Sequence, residues 1–387
     1  MTTSSRRSLF ACACLGMLTF GIVLTTLGAV LPSIIERFGI DKTQAGALFL
    51  LMTFGILAGS LVFGPMVDRY GYKGMLLLAA TLIVAGLEGI AFAPSMGILR
   101  GAIACIGFGG GIINGGANAL VADISSEEKG ANLNLLGVFF GIGAVGVPFV
   151  LATMMSRFSH AALIAGVGAL VIAPIVFIAV TPFPAPKQPQ GFPIAAAGRL
   201  FRDPLLLLMG FMLFLESGME ITVGGWTSTF VKEELAVAER SALILLSLYW
   251  MGMMLARLAL GSILRRGSPY RVLYSCISIA LAGAVILLTT KSVPFAALGV
   301  FLMGVGFAAT FPTVLGFVGD RYAALSGTAF SLAIAMALCG GMLLPYAAGA
   351  LGERYGMRGS FVIVPVALVL LAGLLGILSR RLRTSSP

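Results

Sequence analysis

The sequence predicts an all-α integral membrane protein with 12 transmembrane helices, two six-helix bundles with pseudo-two-fold symmetry around a central cavity. Three observations predict this class: the composition, a series of long apolar runs and an internal repeat. The 387 residues are 59% hydrophobic and only 10% charged, whereas a soluble protein of this length carries far more charge. No long alternation of polar and apolar residues occurs, which excludes a membrane β-barrel.

The apolar runs give the number of helices. A helix needs about 20 apolar residues to cross the hydrocarbon, and twelve such runs follow one another, here called predicted spans 1 to 12. They cover roughly 8–32, 44–67, 74–94, 97–122, 131–155, 160–182, 204–231, 240–264, 271–290, 294–318, 324–350 and 358–379. Arg6 and Arg7 precede the first run as in a signal peptide, but the run is too long for one and no small-residue cleavage site follows.

The net charge of +10 reflects the placement of the basic residues. Of the 25 Lys and Arg, fifteen fall on the side that also holds both termini, nine fall on the other side, and Arg257 lies within a span. An excess of Lys and Arg marks the cytoplasmic side. We therefore predict a multi-pass protein of a bacterial cytoplasmic (inner) membrane with both termini cytoplasmic. Its partner is the lipid bilayer, and no nucleic acid is expected.

The chain also repeats itself at an offset of 197 residues. The coincidences that weigh most are Arg69 with Arg266, Asp123 with Asp320, Pro148 with Pro345, and Arg157 with Arg354, beside many glycine pairs. The repeat predicts an N-terminal bundle of residues 1–182 and a C-terminal bundle of residues 204–387. Residues 183–203 are rich in proline and charge and are predicted to form a cytoplasmic linker. Paired repeats of this kind are typical of transporters with alternating access.

The loop after predicted span 2 reads GPMVDRYGYKG. Its Gly64, Asp68, Arg69, Gly71 and Lys73 match the G-x-x-x-D-R-x-G-x-[RK] signature, and the chain thereby resembles the major facilitator superfamily. In that family the loop gates the movement between conformations. Gly64 is expected to let two helices touch, and the basic residues to lie at the cytoplasmic interface; the alternative is that the loop only anchors the topology.

Predicted span 4 and predicted spans 7 and 8 carry a narrower resemblance, through GFGGGIINGGANALVADISSEEKG, FLESGMEITVGGW and YWMGMMLARL. These segments are similar to the fucose permease-like branch, whose members carry fucose, glucose or galactose with a cation. Two departures affect this resemblance. Predicted span 1 lacks the permease's acidic residue, and Asn114 stands where it has a glutamate. The arginine typical of drug/proton antiporters is also absent, because Ile103 takes its place, and this disfavours export.

Few ionisable residues fall within the predicted spans. They are Glu88, Glu216, Glu220 and Arg257, with Arg100 at an outer end. A charge at the bilayer centre costs about 2.5–3.5 kcal/mol on insertion scales, so each needs protein, water or a partner around it. From the helical rise, Glu216 and Arg257 differ in depth by about one turn, which predicts a Glu216–Arg257 charge pair. That pair is interpreted either as a structural tie or as part of the coupling machinery.

Glu220 has no cation at its predicted depth. It is therefore predicted to carry a proton, ligate Na⁺ or accept hydrogen bonds from a substrate. The alternative is a protonated glutamate that caps a kink at Gly224–Gly225. Glu216 and Glu220 are the predicted cation-coupling residues, and Glu88 is interpreted as structural. The single histidine, His160, is interpreted as a polar residue at a helix end.

Members of the superfamily line their cavity with helices 1, 4, 7 and 10. The polar and aromatic residues at those places predict a sugar site of Thr25, Thr26, Asn114, Asn118, Glu220, Trp226, Thr310, Phe311 and Thr313. Amides and hydroxyls match sugar hydroxyls, and Trp226 is expected either to stack on a sugar ring or to lie in an interfacial belt.

The sequence thus predicts a secondary active transporter that moves a small polar solute, a monosaccharide, by H⁺ or Na⁺ symport. It is not expected to be an enzyme or to hold a cofactor or metal, and it is expected to be a monomer. No G-x-x-x-x-G-K-[ST] motif occurs, so the energy must come from a gradient. Two alternatives stay open, a proton-coupled exporter of a lipophilic compound or drug and a non-transporting receptor of the same fold.

Overall fold

The computed structural model describes residues 3–125, 129–184, 200, 202–322 and 326–384. Every regular element in this part of the chain is an α-helix. The helices are Thr3–Phe38, Lys42–Phe92, Met96–Ile124, Lys129–Met154, His160–Val180, Pro204–Leu235, Glu239–Arg266, Pro269–Thr289, Val293–Phe307, Thr310–Arg321, Ser326–Ser360 and Ile363–Thr384.

Twelve stretches of the described chain are long and apolar enough to cross a bilayer, which confirms the predicted number. They are numbered spans 1 to 12: Arg6–Phe38, Lys42–Val67, Arg69–Phe92, Met96–Ile124, Leu135–Met154, His160–Val180, Pro204–Leu235, Glu239–Ser262, Pro269–Thr289, Val293–Arg321, Thr328–Ser360 and Ile363–Arg381. The predicted linker stays a prediction, because residues 185–199 and 201 lie outside the described part.

Spans and helices do not correspond one to one at two places, and one further helix turns within its span. Spans 2 and 3 lie in one helical segment that turns at Gly71, where φ is +75°, and the segment Ser326–Ser360 turns at Gly356, where φ is +76°. Glycine adopts this left-handed backbone without a steric penalty, whereas other residues pay for it. Span 10 is instead built from two helices that are interrupted at Ala308 and Ala309.

The chain forms two compact units. Unit 1 contains residues 1–41, 47–190 and 238–247, and unit 2 contains residues 42–46, 191–237 and 248–387. The units therefore differ from the predicted bundles in two short segments, the first turn of span 2 and the beginning of span 8. The prediction of two bundles divided at residues 183–203 is not tested further by this division.

Close glycine contacts recur at the offset of 197 residues. Gly21 and Gly143 face each other where spans 1 and 5 pack in unit 1, and Gly218 and Gly340 do so at spans 7 and 11 in unit 2. At each position an added Cβ atom would fall close to a backbone carbonyl of the facing helix. Small residues allow helix backbones this near to each other in a membrane protein. These glycines of the repeat therefore make the same helix–helix contact in both units, between spans 1 and 5 and between spans 7 and 11.

Candidate functional site

Span 7 holds both glutamates of the candidate site. Its first turn is fixed by Asp203, whose Oδ1 accepts hydrogen bonds from the backbone N–H groups of Leu205 (2.8 Å) and Leu206 (3.3 Å). An aspartate cap followed by proline is a strong helix start. The helix then continues unbroken to Leu235. The alternative that Glu220 caps a kink at Gly224–Gly225 is therefore wrong.

Glu216, Glu220 and Arg257 form one buried charged cluster in unit 2. Nη2 of Arg257 lies 3.8 Å from Oε2 of Glu220. The prediction that Glu220 has no cation at its depth is therefore wrong, because Arg257 lies beside it. Arg257 also interacts electrostatically with Glu216, its predicted partner. The prediction compared only depths along the helix axis. Glu216 and Glu220 lie four residues apart on one helix face, so depth alone does not decide which of them contacts Arg257.

Glu216 is the more enclosed of the two carboxylates. Its side chain is 0% exposed, and neither carboxyl oxygen accepts a hydrogen bond of standard geometry from a described residue. It interacts with the carboxyl of Glu220 and, electrostatically, with the guanidinium of Arg257. Two carboxyl groups form a hydrogen bond with each other only when one of them holds a proton, since an ionised carboxylate has acceptors alone. Glu216 and Glu220 thus form a pair of neighbouring buried carboxyl groups beside Arg257.

Two aromatic residues of span 8 hold the turn of span 7 that carries Glu220. The hydroxyl of Tyr249 donates a hydrogen bond of 3.1 Å to the backbone carbonyl of Glu220. The indole of Trp250 packs on Gly224, where a Cβ atom would collide with the ring. The two rings meet edge to face, with centroids 4.9 Å apart. The aromatic pair of span 8 is visible in the sequence, but its alignment with Glu220 depends on how the two helices pack.

Trp226 lies in the core of unit 2. It is 0% exposed, and its indole Nε1–H donates a hydrogen bond of 3.0 Å to the backbone carbonyl of Pro345 in span 11. The interfacial-belt interpretation is therefore wrong. In this conformation the ring also has no open face for stacking on a sugar, and its role as a substrate residue stays a prediction. A close approach of Gly349 to the ring explains the burial.

The polar residues predicted for the substrate in spans 1 and 4 lie in unit 1. Asn114 and Asn118 share one face: Nδ2 of Asn118 donates to the backbone carbonyl of Asn114 at 2.9 Å and to its Oδ1 at 3.2 Å. Both amides are half-buried. Thr25 is buried, and its hydroxyl donates to the carbonyl of Gly21 at 3.0 Å. The asparagine pair therefore has amide atoms that could still bind a ligand, whereas the hydroxyl donor of Thr25 is already bonded to its own helix.

The predicted residues of span 10 lie at its interruption. Thr310 begins the second helix and is buried, and Phe311 beside it is half-buried. Oγ1 of Thr313 is buried and has no hydrogen-bond partner among the described residues. Interrupted membrane helices often line binding sites because they expose backbone polar groups. The sequence there is FAATFPT, and Pro312 in the first turn of the second helix was the available signal of the break.

The predicted gating loop is described in part. Gly71 has the positive φ that its place in the signature requires, and Arg69 lies over the ring of Tyr70 at 5.4 Å. Lys73 is half-buried, and the side chain of Asp68 lies outside the described atoms. No described atom lies within 4 Å of a Cβ added at Gly64, so the expectation that Gly64 lets two helices touch is wrong.

A contact that the sequence reasoning missed joins this loop to the end of span 4. The hydroxyl of Tyr72 donates a hydrogen bond of 2.7 Å to Oδ2 of Asp123. The only available signal was the coincidence of Asp123 with Asp320 in the repeat. Glu88, interpreted as structural, is half-buried on span 3, and its carboxyl lies against Gly168 of span 6.

A sequence model of the Major Facilitator Superfamily matches residues 13–336 of the chain. The chain is 25% identical to Bypass of stop codon protein 6 of Saccharomyces cerevisiae, over 89% of this chain and 77% of that protein. It is 23% identical to the glucose/mannose transporter GlcP of Bacillus subtilis, over 95% and 94%. It is 21% identical to the sodium-dependent glucose transporter 1A of Mus musculus, over 87% and 88%.

Solved structures share the fold. The nucleoside transporter NupG superposes with a TM-score of 0.81 at 17% identity, over 97% of this chain and 99% of that one. A D-xylose–proton symporter superposes with a TM-score of 0.77 at 14% identity, over 95% and 96%. Likeness at such low identity speaks to the fold alone.

Proposed function

The chain belongs to the Major Facilitator Superfamily and is a transporter rather than an enzyme, and on that premise we propose that it carries a monosaccharide together with a proton. The observation that carries the proposal is the buried Glu216–Glu220–Arg257 cluster of unit 2. We also propose the orientation predicted from the basic residues, with both termini on the cytoplasmic side of a bacterial inner membrane.

The charge balance of the cluster supports cation coupling. Two carboxylates beside one guanidinium leave one negative charge, which costs about 2.5–3.5 kcal/mol at the bilayer centre on insertion scales. One bound cation removes that charge. A proton shared by Glu216 and Glu220 needs no cavity and no coordination sphere. Na⁺ at the same place would be repelled by the Arg257 guanidinium, which lies 3.8 Å from Glu220. The geometry therefore favours H⁺ over Na⁺ as the coupled ion.

The monosaccharide class is supported by the relatives and by the polar residues of unit 1. GlcP is named for glucose and mannose, and the mouse relative for glucose. The half-buried Asn114 and Asn118 present amide groups that both donate and accept hydrogen bonds, which suits sugar hydroxyls. Within unit 2, the unsatisfied hydroxyl of Thr313 is a further candidate contact. Trp226 is not used in this proposal, because its ring is enclosed.

The test is uptake into proteoliposomes under separate pH and Na⁺ gradients, with a panel of monosaccharides. We expect an inward proton gradient, and not an inward Na⁺ gradient, to drive accumulation of at least one sugar. Glu216→Gln is expected to lower proton-driven accumulation by at least tenfold while sugar exchange continues, because a neutral amide cannot take up and release a proton. Glu88→Gln is the matched control, an intramembrane glutamate outside the cluster, and is expected to keep accumulation.

Three results would contradict the proposal. Accumulation driven by Na⁺ alone would make Na⁺ the coupled ion. Undiminished proton-driven accumulation in Glu216→Gln would remove the cluster from coupling. Specific sugar binding without any flux would favour a receptor, and outward, proton-driven movement of lipophilic compounds would favour an exporter.

A further inference from the structure

In unit 1, span 3 ends against an arginine. Nη2 of Arg37, at the end of span 1, donates a hydrogen bond of 2.6 Å to the backbone carbonyl of Ala93, and its Nη1 donates one of 3.4 Å to that of Ala91. The last carbonyls of a helix have no partner within the helix, and the negative end of the helix dipole lies there. A basic side chain that bonds to them stabilises the helix end. Arg37 therefore caps the end of span 3.

In unit 2, span 9 ends in the same way, although its arginine comes from another part of the chain. Nη1 of Arg358, near the end of span 11, donates a hydrogen bond of 2.5 Å to the backbone carbonyl of Leu288. Nη1 and Nη2 both donate to the carbonyl of Thr290, each at 3.1 Å. Leu288 and Thr290 lie 197 residues after Ala91 and Ala93. The same two carbonyls of the repeat therefore bind a guanidinium in both units.

Glu234 holds the arginine of unit 2 in place. It lies at the end of span 7, 197 residues after Arg37, so the repeat has a glutamate here where unit 1 has its capping arginine. Its Oε2 accepts a hydrogen bond of 3.1 Å from Nε of Arg358, and its Oε1 accepts one of 3.1 Å from the backbone N–H of the same residue. The side chains of Arg358 and Glu234 are 30% and 23% exposed. Glu234 thus fixes both the backbone and the guanidinium of Arg358.

We propose that the carbonyls at the end of the third span of each repeat form a guanidinium-binding site, and that Glu234 and Arg358 together replace Arg37 in unit 2. In unit 1 the arginine joins spans 1 and 3. In unit 2 the glutamate at the same position holds an arginine of span 11, so the contact joins spans 7, 9 and 11. It also fixes the backbone two residues after the left-handed turn at Gly356.

A simple ion pair and a guanidinium site predict different outcomes when the pair is removed. If Glu234 and Arg358 only attracted each other, every variant without the pair would lose the same stability. If the carbonyls at the end of span 9 bind a guanidinium, an arginine introduced at position 234 can supply it directly, as Arg37 does in unit 1. The double variant Glu234→Arg with Arg358→Met transfers the arrangement of unit 1 to unit 2.

The test combines thermal unfolding of the full-length protein in detergent with hydrogen exchange, followed by mass spectrometry, at the end of span 9. We expect Arg358→Met to lower the unfolding temperature and to speed exchange there about tenfold, because hydrogen bonds from a charged donor are lost. In Glu234→Arg with Arg358→Met, we expect at least half of the lost unfolding temperature to return. Exchange at the end of span 9 is expected to slow again in this variant.

Glu234→Met with Arg358→Met is the matched control, because it removes the same pair and supplies no guanidinium. It is expected to keep the fast exchange of Arg358→Met. Equal exchange in the two double variants would overturn the proposal, and so would native exchange at the end of span 9 in Arg358→Met.

Arg37→Met repeats the test in unit 1 with a single change. We expect faster exchange at the end of span 3 and native exchange at the end of span 9, because the two sites lie in different units. Native exchange at the end of span 3 would contradict the proposed site in unit 1. Both readouts are made on solubilised protein without a substrate, so their outcome is independent of sugar–proton transport.

Discussion

The Arg257–Glu220 ion pair has a measurable energetic consequence. The two side chains are 20% and 11% exposed, so each charge has lost most of its water. Arg257→Gln alone leaves two carboxylates together, and we expect the free energy of unfolding to fall by about 2 kcal/mol, less than the roughly 3–5 kcal/mol lost when a fully buried pair is broken. Unfolding by SDS titration in mixed micelles measures this.

The double variant provides the control for this pair. Glu220→Gln with Arg257→Gln removes both partners, so we expect at least half of the lost stability to return. A double variant that loses the sum of the two single effects would show that the two side chains do not stabilise each other. Glu88→Gln is again the matched single change outside the cluster.

Trp226 gives a second prediction for a single residue. Its indole is enclosed and donates to the carbonyl of Pro345, so Trp226→Phe keeps the aromatic ring and loses one buried hydrogen bond. We expect a loss of about 1–3 kcal/mol in unfolding free energy, the cost of the unsatisfied carbonyl, with sugar affinity changed less than twofold. Affinity is measured by thermal shift across a sugar titration. A tenfold loss of affinity without a loss of stability would restore the stacking role.

At the scale of elements, the repeated glycine contacts make the packing of spans 1 with 5 and 7 with 11 sensitive to one methyl group. An added Cβ at Gly143 or Gly340 would fall close to a facing backbone carbonyl, and backbone cannot move aside as a side chain does. We expect Gly143→Ala and Gly340→Ala each to lower the unfolding free energy by about 1–3 kcal/mol, the usual cost of overpacking.

Gly64→Ala is the matched control for these two variants, because nothing described lies within 4 Å of its added methyl group. It is expected to change stability by less than about 0.5 kcal/mol, as most exposed substitutions do. The three variants are compared by thermal unfolding in the same detergent. Equal losses in all three would indicate a helix-propensity effect and contradict the close-contact explanation.

The elements also show where sequence reasoning ends. The spans and the repeat follow from local composition and spacing, which act along the chain, and these were predicted. The partner of Arg257, the alignment of Tyr249 with Glu220 and the enclosure of Trp226 depend on the rotation of one helix about its axis against another. That rotation is set by packing such as the contacts of Trp250 with Gly224, and a single sequence does not display it.

At the scale of the whole molecule, the internal repeat includes a further position at which the two residues differ in charge but both make side-chain contacts. Lys42 and Glu239 differ in charge and so do not count as a match in the repeat, yet both begin the second span of their repeat. Nζ of Lys42 lies 3.2 Å from Oε2 of Glu233, and Oε1 of Glu239 lies 3.0 Å from Nε2 of His160. The same position of the repeat is thus a contact site in both units, with a basic residue in one and an acidic residue in the other. Equivalent positions of the two repeats can therefore make equivalent contacts even where their residues differ.

The orientation of the whole molecule is open to a direct test. An even number of spans places both termini on one side, and the fifteen basic residues on that side against nine on the other predict that it is cytoplasmic. Fusing green fluorescent protein after Pro387, or inserting it after Gln190, is expected to give fluorescent cells. Alkaline phosphatase inserted after Val237, between spans 7 and 8, is expected to be active, since it folds only outside the cytoplasm. Phosphatase activity at Pro387 together with inactivity at Val237 would show the opposite topology.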